Sequence, residues 1–75
     1  MIQLSLRDEP PVQCKSWQEA HKRIANSLDF FGHTAFTLKL DDYEWQEEDI
    51  HWKTLDAVAS TPEALHGYFQ YVGRA

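Results

Sequence analysis

Seventy-five residues make one domain, 1–75, with a small core, because a chain this short buries only about 60% of the surface its unfolded form exposes. A single cysteine, Cys14, excludes an internal disulfide framework and fits a reducing, cytoplasmic setting, while 43% hydrophobic content argues against disorder. The formal charge of −5 is unevenly spread: six of the twelve acidic residues lie in 41–49, and the rest of the chain holds six acids against seven bases.

The chain opens with an alternation. Ile2, Leu4 and Leu6 point one way and Gln3, Ser5 and Arg7 the other, which predicts a strand over 2–7 with one buried face. Asp8-Glu9-Pro10-Pro11 ends it, since two prolines remove two backbone donors and fix two φ angles. Val12 to Lys15 reads as a short return strand or a loop. The start MIQLSLRDEPP turns polar too soon for a signal peptide, and no stretch approaches the roughly 20 apolar residues of a membrane span.

Ser16-Trp17-Gln18-Glu19 matches a capping box and starts a helix over 16–31. Trp17, Ala20, Ile24, Leu28 and Phe31 follow at spacings of three and four as one apolar stripe, and Gly32 supplies the stop. Residues 34–40 alternate again, with Phe36, Leu38 and Leu40 on one face. Residues 46–59 fit a helix better than a strand, because a helix gathers Trp45, Trp52, Leu55 and Ala59 on one side. Ser60-Thr61-Pro62-Glu63 reads as a second capping box opening a helix over 61–72, with the stripe Leu65, Tyr68, Phe69 and Val72 and a stop at Gly73. Gly67 inside that helix costs about 1 kcal/mol and suggests close packing against a neighbour. The expected fold is α+β: a small antiparallel sheet of two or three strands with two or three helices on one face.

The acidic run carries the functional expectation. Asp41, Asp42, Glu44, Glu47, Glu48 and Asp49 repel one another unless a partner neutralises them, and clustered charge steers association. Tyr43 and Trp45 inside the run are residue types favoured as interface anchors, although core positions suit them equally. These eight residues form the candidate partner-binding site. The expected partner is a basic or nucleic-acid-binding protein, with the carboxylates standing where that partner meets phosphates. The function class is a small inhibitor or regulator, analogous in size and charge to phage anti-defence and immunity proteins. Direct binding to nucleic acid or to an anionic membrane is disfavoured by the charge. The alternative is an apolar module, a homodimer or an assembly subunit, built on aromatics such as Tyr68, Phe69 and Tyr71.

Other chemistry finds little support in the spacing. Counting an EF-hand from Asp42 puts Glu47 where glycine is required and Lys53 where the bidentate glutamate belongs. His21, His33, His51 and His66 make no i, i+4 pair, so no metal site and no cofactor is expected. Cys14 has no motif around it that marks a nucleophile, and a chain of this size leaves little room for a cleft and an oxyanion hole, so no enzymatic activity is expected. His21-Lys22-Arg23 with Lys15 is the one cationic patch, read as an exposed helix face.

Overall fold

The computed structural model describes residues 1–7 and 9–73, so Asp8, part of the expected strand break, lies outside the described residues. In chain order the elements are β1 (Ile2–Leu6), β2 (Val12–Cys14), α1 (Trp17–Phe31), β3 (His33–Leu40), β4 (Tyr43–His51), α2 (Trp52–Val58) and α3 (Pro62–Val72). The fold is α+β. One antiparallel sheet runs in the order β2-β1-β3-β4, so the sheet has four strands rather than the two or three expected.

The helices cover one face of the sheet. Ile2, Leu4 and Leu6 from β1, Cys14 from β2, Phe36 and Leu38 from β3 and Trp45 and Ile50 from β4 turn inward, where they meet Ala20, Ile24 and Leu28 of α1, Leu55 of α2 and Leu65 and Phe69 of α3. The alternate strand positions form a polar open face, with Ser5, Ala35, Thr37 and Gln46 across its middle. Phe31 departs from the expected stripe: it is 61% exposed at the last turn of α1. Gly32 ends that helix at φ 81°, a left-handed conformation that glycine adopts without steric cost, and its N–H donates to the Leu28 carbonyl at 2.7 Å.

The caps match the sequence unequally. Ser16 Oγ accepts from the Glu19 N–H at 3.2 Å, but the Glu19 carboxylate reaches back to the Lys15 N–H at 2.9 Å, one residue beyond the usual box partner. In α3 the cap is Thr61, whose Oγ1 accepts from the Ala64 N–H at 3.1 Å. Proline at the next position fixes this frame, so Ser60 lies outside the cap and Glu63 is not its box partner. Gly67 has open space where a side chain would stand, so the expected close packing at that position is absent.

The segment expected as a helix over 46–59 is the largest departure. Residues 43–51 are strand, and only Trp52–Val58 are helical. The cause is an irregularity in the β3–β4 ladder. Phe36 pairs with Glu47 and Thr34 with Ile50, so Glu48 and Asp49 together oppose Ala35 alone. This is a β-bulge. It separates the inward residues Trp45 and Ile50 by five positions and hides the period of two.

Candidate functional site

The acidic run forms the hairpin between β3 and β4 and most of the sheet's edge strand. Leu40 pairs with Tyr43, which leaves Asp41 and Asp42 as a two-residue loop. Asp41 has φ 55°, as the loops that suit a twisted hairpin require at their first position, and aspartate tolerates that conformation better than most residues. The tip therefore carries two carboxylates into solvent.

Along β4 the pleat divides the run between two faces. Glu44 and Glu48 are exposed on the open side, roughly 13 Å apart along the strand. Glu44 lies 3.4 Å from Lys39 Nζ. Among the described residues Lys39 is the one lysine or arginine in ion-pair contact with the run. Arg7 approaches differently: it donates to the Glu48 backbone carbonyl at 2.9 Å, which satisfies an acceptor at the bulge and leaves the Glu48 carboxylate outward.

Trp45 and Glu47 turn toward the helices. Trp45 is 6% exposed, packing edge-on to Phe36 at 4.9 Å and against Tyr68 at 5.2 Å. It is a core residue, so the role of surface anchor does not fit it. Its indole Nε1 donates to Glu47 Oε1 at 2.9 Å, and Glu47 is half-buried. Tyr43, 53% exposed, borders a cleft with Leu40, His66 and Phe69 and keeps a surface available for contact. The eight candidate residues thus do not make one patch: Asp41, Asp42, Tyr43, Glu44, Glu48 and Asp49 are exposed, and Trp45 and Glu47 belong to the helix side.

Comparison with protein-family models, with curated proteins and with solved structures gives no match.

One cluster was not visible in the sequence. His33 and His51 are register partners across β3 and β4, with ring centroids 5.9 Å apart. Asp49 lies beside both, 3.4 Å from His33 Nδ1 and 3.8 Å from His51 Nε2. The pairing depends on strand register over eighteen positions, and no local spacing signals it. Among the described residues no group of three or more His, Cys, Asp or Glu is placed to hold a metal ion. The other two histidines are structural: His21 Nε2 donates to the Ala59 carbonyl at 2.8 Å, and His66 stacks on Trp17 at 4.8 Å. That removes His21 from the cationic patch, where Arg23 also lies 3.6 Å from Glu19. Cys14 is fully buried, and burial pushes its thiol pKa up, assisted by the nearby Glu19 carboxylate and opposed by Arg23. A thiol held neutral is a poor nucleophile. No helix among the described residues is long and apolar enough to cross a membrane.

Proposed function

We infer that the protein is a small acidic binding protein that docks the tip and open side of the β3–β4 hairpin onto the basic surface of a nucleic-acid-handling protein, as an inhibitor or regulator without catalytic activity of its own. The observation that carries this reading is the exposure of Asp41, Asp42, Glu44 and Glu48 on an extended edge, where among the described residues Lys39 is the one lysine or arginine in ion-pair contact with their carboxylates. An extended strand holds carboxylates in a spaced row, as a sugar–phosphate backbone holds its charges, and a surface that binds phosphates through Lys and Arg accepts carboxylates by the same charge-assisted hydrogen bonds. A purely structural role for the same acids is to keep this long edge from pairing with other strands.

The two roles separate in one experiment. Asp42/Glu44/Glu48→Lys reverses exposed charge and spares Glu47, whose carboxylate accepts the Trp45 indole N–H. Capture from a cell lysate with the wild type should retain a nucleic-acid-binding protein that high salt releases, and the triple variant should fold and fail to capture it. Equal capture by both would leave the acids with the edge-protecting role alone.

A second reading has its own observation. Phe30 and Phe31 are 81% and 61% exposed and packed edge to face at 4.7 Å, beside a cleft of about 440 Å³ that includes Leu6, Ser27 and Thr34. Two adjacent exposed phenylalanines on a small domain support reading this end of α1 as a self-association surface. Sedimentation equilibrium decides it: a dimer of the 8.8 kDa chain, abolished by Phe30→Ser and insensitive to salt, supports this reading, and a monomer at high concentration removes it.

A further inference from the structure

The helix side of β4 holds a cavity that the hairpin's exposed acids do not explain. It is small, about 60 Å³, which on the same measure is space for about four water molecules. Its walls are Phe36, Trp45, Ile50, Leu55, Val58 and Tyr68, with Glu47 and Thr54 as its polar members. A carboxylate at an apolar wall costs desolvation unless its oxygens find donors. One oxygen of Glu47 accepts from Trp45 Nε1. That bond also turns the carboxyl group toward the rings.

The geometry points to a receptor slot for the alkylammonium of a lysine side chain, supplied by the basic partner. This inference rests on the docking reading above and extends it around the edge strand, since Glu47 and Trp45 face the helices while the docking acids face the open side. Apolar walls suit the four methylenes of the lysine stem. Trp45 and Tyr68 both line the cavity, and aromatic rings carry a negative potential that attracts a cation. The three ammonium donors have three places to go: the second Glu47 oxygen, the Thr54 hydroxyl and water at the mouth, Thr54 being exposed. A guanidinium fits less well, since its five donors in a fixed plane would outnumber the acceptors. The Glu47 carboxylate selects a cation, and the excess of acids on this chain, net −5, favours a basic partner over a second copy.

The test uses the full chain labelled with ¹⁵N and reads the Trp45 indole N–H resonance, assigned by elimination with Trp17→Phe and Trp52→Phe. The probes are n-butylammonium chloride, its neutral counterpart n-butanol, and sodium chloride at matched ionic strength. The Trp45 signal should move saturably with n-butylammonium, respond to n-butanol with roughly tenfold weaker affinity, and stay still in sodium chloride. Glu47→Gln, which keeps an acceptor for the indole and removes the charge, should weaken n-butylammonium by a similar factor. Unchanged affinity in Glu47→Gln, or no movement of Trp45 in the wild type, overturns the slot. A lysine-rich peptide in the same spectra separates the two ideas. If it shifts the amides of 41–49 equally in the wild type and in Glu47→Gln, hairpin docking stands and the slot falls. If it shifts neither Trp45 nor those amides, both fall.

Discussion

Asp41 sits at φ 55°, a conformation that costs an L-residue roughly 1–2 kcal/mol and that glycine adopts without this steric cost. Asp41→Gly should therefore raise the urea midpoint, and Asp41→Val should lower stability by about 1–2 kcal/mol in the same unfolding curves. Gly67 presents the opposite case. It occupies an exposed helix interior with open space for a side chain, so Gly67→Ala should stabilise by about 1 kcal/mol. Cys14 adds a pH dependence. Its folded pKa lies above that of the unfolded thiol, so the folded state holds the proton more tightly. The associated stability is complete below roughly pH 8.5, falls as the pH climbs beyond it, and is gone once the pH passes the folded value. Denaturation curves at pH 7.5 and above 9 should show that loss, and Cys14→Ala should flatten it. The thiol should also react with a thiol reagent at the rate of unfolding; immediate reaction in the native state would contradict its burial.

At the scale of elements, the bulge at Glu48 and Asp49 controls the edge strand. It keeps Ile50 on the core side after Trp45 and Glu47, since an unbroken period of two would turn Ile50 outward. Arg7 supports the distortion through the Glu48 carbonyl. Arg7→Met should cost about 0.5–1.5 kcal/mol, read from urea unfolding, and should broaden the amide resonances of 48–50 in particular. At α3 the cap is Thr61, so Thr61→Ala should cost about 1 kcal/mol and Ser60→Ala almost nothing. These two elements also show what the sequence carries. The strand at 2–6, the helix over 17–31 and the strand at 33–40 were legible because their buried apolar residues keep a single period, Phe31 at the helix end being the exception. The edge strand was not, because one extra residue breaks its period and acid-rich composition lacks strand propensity. Helical spacing of Trp45, Trp52, Leu55 and Ala59 then arises by coincidence across a real strand–helix junction. The second cap was displaced by one residue because serine and threonine stand side by side, and Pro62 selects the threonine.

At the scale of the whole molecule, the sheet sorts what the sequence could only place in a row. Composition revealed where the charge lies, but the division of that charge into an exposed tip and open side, and an inward Trp45–Glu47 pair, follows from the pleat. His51 stands beside the acidic run in the sequence itself, but His33 joins it and Asp49 only through register, which no local spacing signals. The resulting body has an acidic hairpin and edge at one side and the exposed Phe30–Phe31 pair at the end of α1. For a docking surface built on charge, binding should weaken steeply as salt rises, because exposed charges are screened within about 8–10 Å at physiological ionic strength. The most direct test of the central claim is competition. The captured partner, loaded with a fluorescent oligonucleotide, is titrated with the wild type and with Asp42/Glu44/Glu48→Lys. Displacement of the oligonucleotide by the wild type and not by the variant is the predicted result. A ternary complex, with oligonucleotide and protein bound together at saturation, would contradict the account.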